Sequence, residues 1–283
     1  MTSTDLTKRA YSGEVLPPAV RAARARRWGW WYFAEHQFLN VRRYGWPIIF
    51  YDIGQPLVYL AAMGLGLGAI VDANAGAIDG VPYRSFVGPA LLVSMAMMTA
   101  VMEFTFPVMD NFRWSKVYWG ANSTPLQPGQ LAIGQLTQVV FRLIAQGAIF
   151  WTFLGLFGAL HSPWSILVVP VGVLSGVAFG APIQAYAATL DDEGFQFSFI
   201  QRFIVMPLFL LSGTFFELST MPIYLQWIGW ISPVWHGADL ARVFTYGREL
   251  EPWLMVVHVV YLAALAVVGI ALARRNYRRR LAS

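Results

Sequence analysis

The chain has 283 residues, a formal net charge of +5, 57% hydrophobic and only 12% charged residues. A soluble domain of this length carries about twice that charged fraction, so a soluble enzyme is excluded and a polytopic membrane protein is indicated. With no cysteine there is neither a disulfide nor a thiolate metal site.

In chain order, residues 1–23 are polar with Pro17-Pro18 and read as a disordered tail. No short apolar core with a cleavage site follows, so the first spanning segment is expected to act as a signal anchor. Residues 24–45 mix Trp28, Trp31, Tyr32 and Leu39 with Arg26, Arg27, Arg42 and Arg43. Basic ends around an aromatic middle suit an amphipathic helix lying in the membrane interface, as an anchor or as a partner contact. Spans are expected at about 46–70, 86–108, 131–158, 164–190, 197–217 and 252–273, followed by a basic tail, 274–283. The fourth holds Gly172, Gly176 and Gly180 at four-residue spacing, a face that lets helices pack closely.

Lys and Arg in alternate extramembrane regions number sixteen against three, with Arg142 inside a span. The positive-inside rule then puts both termini in the cytoplasm with six crossings.

The loop 109–130, MDNFRWSKVYWGANSTPLQPGQ, falls on the cytoplasmic side and has room for a helix from Asp110 to about Tyr118. Its Phe112, Trp114, Val117, Tyr118 and Trp119 are apolar for a cytosolic loop. They read as a docking surface or as a helix lying on lipid, and periodicity does not decide between them.

On the opposite side, span five breaks at Ser212-Gly213-Thr214 before Phe215-Phe216-Glu217. The stretch Pro222–Trp235 is too short to cross a bilayer and is interrupted at Gly229 and at Ser232-Pro233. Irregular backbone at membrane depth must be satisfied by protein or by a wet cavity. A re-entrant hairpin over about 218–246 is expected, with Pro222 and Pro233 setting its bends. Trp227, Trp230 and Trp235 would sit at headgroup level; an interfacial loop with a Trp belt is the alternative.

Within the spans, Asp52, Glu103 and Arg142 are costly to bury and so candidates for gating or substrate contact. Glu103 and Arg142 lie at comparable depth and are candidates for an ion pair. Gln135, Gln138 and Gln146 extend one polar face or serve as helix glue.

The two lysines, Lys8 and Lys116, stand in no P-loop frame, so ATP must be hydrolysed by another chain. Asp191-Asp192-Glu193 is a single acidic motif, whereas a diphosphate-using membrane transferase needs two. His236 and Asp239 share a helix face, too few ligands for zinc, while His161 and His258 stand alone. A stand-alone secondary carrier is a further alternative; its usual internal repeat is not found between 46–158 and 164–273.

The segment from Phe195 to Gly247 carries Pro207, then Phe209-Leu210-Leu211-Ser212-Gly213-Thr214-Phe215-Phe216, Met221-Pro222, Pro233 with His236, and Asp239-Leu240 with Arg242. Glu103-Phe104-Thr105-Phe106 and Leu126 to Gly134 support it. From about residue 28 onward the chain resembles the permease subunits of ABC-2 type transporters. It is similar above all to the branch of nodulation-type lipo-oligosaccharide exporters and daunorubicin-resistance permeases.

The resemblance implies an all-α membrane domain of six helices with an N-terminal interfacial helix and a coupling helix at about 109–120. It also implies the outer re-entrant hairpin with His236 on it. Asp110, Asn111, Phe112, Arg113, Trp114, Lys116, Tyr118 and Trp119 would meet the ATPase. The path between two permease copies would run past Asp52, Glu103, Arg142, Phe215 and Phe216, lined by spans one, two and five. Implied partners are two ATP-binding subunits, which hold the ATP and Mg²⁺, a second permease copy and membrane lipid, with no nucleic acid. The implied location is a bacterial inner membrane. In one respect the chain departs from the family: WSKVYWGANST carries less charge than is usual in the coupling loop.

Overall fold

The computed structural model describes residues 17–43, 45–74, 76–191 and 195–282, with the side chains of 41–43, 46–49 and 51–53 left aside. These residues form an all-helical bundle. Helix α1 is Pro18–Arg43. Helix α2 starts as Gly45–Tyr59, widens to π geometry over Leu60–Leu67 and ends as Gly68–Asn74. Next come α3 (Tyr83–Phe104), α4 (Phe106–Arg113), α5 (Val117–Asn122) and α6 (Pro128–Leu156). A 3-10 turn, Pro163–Leu167, leads into α7 (Val168–Ala187). The composite helix α8 covers Phe195–Leu211, and α9 (Ile223–Ile231), α10 (Pro233–Tyr246) and α11 (Pro252–Ala282) complete the chain.

Local chemistry sets several boundaries. Pro128 occupies the first turn of α6 behind a reciprocal Gln127/Gln130 capping box. Ser232 accepts from the Val234 amide ahead of Pro233, starting α10, and Gly247 at φ +80° ends it.

Among the described residues, five helices are long and apolar enough to cross a membrane: Gly54–Asn74, Tyr83–Arg113, Pro128–Leu156, Pro163–Ala187 and Pro252–Ala282. The expected fifth span is shorter than read. It stops at Leu211 rather than 217, because Gly213 takes a left-handed conformation at φ +73°. Two tails also differ from expectation. Helix α1 begins at Pro18, inside the stretch read as disordered, and α11 continues through the basic tail to Ala282.

Helix α3 is the hub. Its apolar window is 89% buried, against 22% for α2 and for α11, which present most of their surface outward. Between apolar helices in lipid, close packing replaces the hydrophobic effect as the cohesive force. The glycine face of α7 supplies it: side chains added at Gly172, Gly176 and Gly180 would collide with Leu92, with the Ala96 backbone and with Phe104 and Ala100 of α3. Gly269 does the same for α11 against Ala181 and Pro182. Helix α1 packs on α6, burying Phe33, Ala34 and Gln37 and exposing Trp28, Trp31, Tyr32 and Leu39. Gly134 of α6 admits Phe33 and the Trp30 carbonyl.

Candidate functional site

The two ends of the bundle hold different chemistry. At one end the loop 109–130 forms two short helices, α4 and α5, rather than one. They are broken between Trp114 and Lys116, where Lys116 sits at φ +53°. The break divides the expected docking residues into two sets. Phe112 and Tyr118 turn inward and are buried, so they belong to the core and not to an exposed patch. Arg113, Trp114, Ser115, Lys116 and Trp119 remain on the outside. Trp119 is held in place by its indole N–H, which donates to the Phe112 carbonyl at 2.9 Å.

Beneath that face runs a directional chain of hydrogen bonds. Gln184 Nε2 of α7 donates to Tyr277 Oη of α11 (3.5 Å), which donates to Tyr118 Oη of α5 (3.0 Å). Tyr118 donates to Gln135 Oε1 of α6 (3.3 Å), which also accepts from Gln37 Nε2 of α1. Burial, reinforced by Tyr277, pushes the Tyr118 phenol well above its ordinary value, so it stays protonated and able to donate. Phe112 packs on both tyrosine rings, at 4.5 and 4.9 Å between centroids. The Arg280 guanidinium lies 4.4 Å over Phe112. Arg280 also donates to the Ala188 carbonyl, and Asn122 donates to the Leu281 carbonyl. The α4–α5 pair is thereby fixed to the end of α11, a link that no single stretch of sequence announces.

Next to this chain lies a polar cavity of about 410 Å³ between α1, α3, α4 and α6. Its lining brings together Glu103, Asp110, Asn111, Gln135 and Gln138 from the expected set, with Gln37 and Asn40 added by α1. Glu103 is ion-paired with Arg142, and both side chains are largely buried. Gln146 lies further along α6, outside this cavity. The side chain of Asp52 lies outside the described residues, as does the whole of Asp192. Asp191 is 91% exposed and meets Arg280 at 3.3 Å, so the single acidic motif contributes an ion pair on the surface.

At the opposite end, Leu218–Thr220, α9 and α10 cover the stretch read as a hairpin or a Trp-belted loop, with Ser232 between the two helices. Several polar groups of the break after α8 find partners on other elements. Ser212 donates to Ser232 (2.7 Å), the Gly213 carbonyl accepts from Arg242 Nη2 (2.6 Å), and Thr214 meets Ser94 of α3 (3.0 Å). That satisfaction is the condition for irregular backbone at this depth. Arg242 is 1% exposed; it also donates to the Phe86 carbonyl (3.3 Å), contacts Asp239 (3.4 Å) and lies 3.8 Å over the Phe86 ring. Arg248 reaches Asp239 (3.0 Å), Glu217 (2.7 Å) and Asp79 (3.4 Å). Partial burial opposes its charge, yet the carboxylates outweigh that and raise its pKa.

The two histidines read as separate in the sequence meet here. His236 Nδ1 and His258 Nδ1 are 2.6 Å apart, and His236 Nε2 is 2.9 Å from the Trp230 carbonyl. Since that carbonyl accepts only, His236 carries its proton on Nε2 and His258 donates from Nδ1. His258 Nε2 is left 4.0 Å from Asp239 Oδ2, without a hydrogen bond among the described residues. Those residues contain no group of three potential metal ligands. Trp227 and Trp230 lie exposed on α9, whereas Trp235 is half-buried, with its ring against His236 and His258. Pro222 is exposed and Pro233 buried. Phe215 packs against Phe209, which packs against Tyr59 of α2, and Phe216 is exposed.

A helical bundle of membrane-crossing length, with a braced pair of short helices at one end and a hairpin at the other, defines a polytopic permease-type membrane protein. The chain belongs to the ABC-2 type transporter family, whose profile matches residues 30–246. It is 27% identical over 266 residues to nodulation protein J of Rhizobium meliloti (strain 1021), covering 93% of this chain and 97% of that protein. It is 25% identical over 233 residues to nodulation protein J of Rhizobium leguminosarum bv. viciae, covering 81% and 87%. A shorter match, 28% identical over 166 residues, joins it to the probable multidrug ABC transporter permease YbhR of Escherichia coli (strain K12), covering 56% and 43%.

Proposed function

We propose that this chain is the membrane subunit of an exporter that moves a lipid-linked glycan, a glycolipid or a hydrophobic drug-like amphiphile out of the cytoplasm or inner leaflet. Two copies would pair, with two separate ATP-binding subunits supplying ATP and Mg²⁺, in a bacterial inner membrane with both termini cytoplasmic. The observation that carries the reading is the α4–α5 element. It presents Trp114, Lys116 and Trp119 outward while Phe112 and Tyr118 are locked into the core. A rigid element with exposed aromatic anchors is what transmits the closing of a partner into a bundle. Uncovered apolar side chains on α8, among them Phe199, Phe203 and Leu210, and Val58 and Leu65 on α2 give a face for the second copy. The partial match to a protein named as a probable multidrug ABC transporter permease supports a drug-like cargo.

The test is purification of the chain from its native membranes in mild detergent. A stoichiometric subunit bearing a P-loop is expected, with ATPase activity in the complex. Trp114→Ala with Trp119→Ala should release that subunit while leaving the permease folded. A permease that transports in liposomes with no such partner would overturn the assignment.

A further inference from the structure

Helix α11 carries a stripe that the transport reading does not use. Ala266, Ile270, Arg274 and Arg278 recur every four residues and so wind slowly along one side of the helix. The upper half of the stripe borders a groove of about 550 Å³ between α6, α7 and α11, walled by aliphatic side chains such as Ile144, Val173 and Val177. The lower half opens on a second recess of about 360 Å³, lined by Ala271 and the arginines 274, 275, 278 and 279. Arg274 and Arg278 converge over Gly129 of α6. A side-chain carbon there would lie 3.2 Å from Arg278 Nε and 3.5 Å from Arg274 Nε.

Both arginines are exposed, and neither meets a carboxylate among the described residues; Arg280, on another face, is the one that takes Asp191. Two guanidinium groups held over one glycine repel each other unless an anion lies between them. The depth of the groove then fixes what kind of anion. From Arg274 to Ala266 is eight residues, about 12 Å along the helix. One leaflet of a hydrocarbon core of ~30 Å is about 15 Å deep. Charge at the interface and an apolar groove that begins one turn above it at Ile270 and stays within the depth of one leaflet match a single amphiphile.

We propose that this face binds an anionic phospholipid of the leaflet at the α4–α5 end. Its phosphate sits between Arg274 and Arg278, and one acyl chain lies in the groove over Ile270 and Ala266. The site lies on helices other than α2 and α8, and the proposal does not depend on what is exported. Juxtamembrane basic clusters attract anionic lipid in general. Here the geometry selects two of the four arginines and couples them to an acyl channel.

The experiment is native mass spectrometry and thermal unfolding of the full chain in detergent, titrated with phosphatidylglycerol or phosphatidylcholine. Wild type should retain about one phosphatidylglycerol per chain and be stabilised by it, with phosphatidylcholine ineffective. Arg274→Gln with Arg278→Gln should weaken retention at least about tenfold. Filling the groove with Ile270→Trp should also displace the lipid while the arginines remain. Arg275→Gln with Arg279→Gln should change little. Equal loss in the two arginine pairs would mean diffuse attraction and overturn the site. So would equal binding of the two lipids, or a groove-filling variant that alters oligomeric state while lipid retention stays intact.

Discussion

Arg242 is the side chain on which most of the hairpin end converges. It ties α10 to the break after α8 through Gly213, to α3 through Phe86, and to its own helix through Asp239. A guanidinium suits this position because its planar fork serves three acceptors and its face lies on an aromatic ring, which an ammonium cannot reproduce. Removing one partner from a buried charge pair costs about 3–5 kcal/mol. Asp239 keeps Arg248, so Arg242→Met is expected near the lower end, seen as a fall in thermal midpoint. Arg242→Lys should recover only part of it. A lysine variant as stable as wild type would show that charge alone is needed. Asp239 and Arg242 lie in one short stretch of sequence, but Arg242's other partners, Gly213 and Phe86, come from distant segments, as does His258, the partner of His236. That is why the sequence offered His236 and Asp239 as a pair and left His258 isolated.

At the scale of elements, most helices were legible because long apolar runs have one stable form in lipid, and the glycines of α7 announced their packing face. What failed to show was where backbone conformation overrides composition. Ser212-Gly213-Thr214 marks a break but not its exact place: the span reads on to residue 217, whereas Gly213 at φ +73° ends the helix at Leu211. Lys116 likewise divides α4 from α5 inside a stretch that reads as one helix, and the aromatic residues around it sort into buried and exposed by a turn that periodicity does not encode. An L-residue in the left-handed region costs roughly 1–2 kcal/mol. Gly213→Ala should therefore lower stability by about that amount, and Gly213→Asn by less, because asparagine tolerates this conformation. The new carbon would sit 3.4 Å from Trp235 Cδ1, tight but not prohibitive. Unfolding midpoints ordered Gly, Asn, Ala, Val would support the account, and four equal midpoints would remove it.

Across the whole molecule, α3 and α11 are two of the elements that reach both ends. At the hairpin end α3 meets Arg242 and Thr214, and α11 brings His258 to His236. At the other end α11 holds α4–α5 through Tyr277, Arg280 and the Leu281 carbonyl. A force applied to Trp114 and Trp119 therefore has a packed route to the hairpin, which loops alone would not give. Tyr277→Ala with Arg280→Ala opens this joint without touching the exposed face of α4–α5. The expected result in proteoliposomes is a complex that still binds its ATP-binding subunit and hydrolyses ATP, with cargo moved per ATP reduced several-fold. Tyr277→Phe keeps the ring against Phe112 and loses the bonds to Tyr118 and Gln184, each worth about 1 kcal/mol, while Gln184 keeps the Ala132 carbonyl; it should retain most of the coupling. If the double alanine variant kept the wild-type ratio of transport to hydrolysis, the route through α11 would carry none of the motion. The other helices that join the two ends, α3 among them, would then have to carry it.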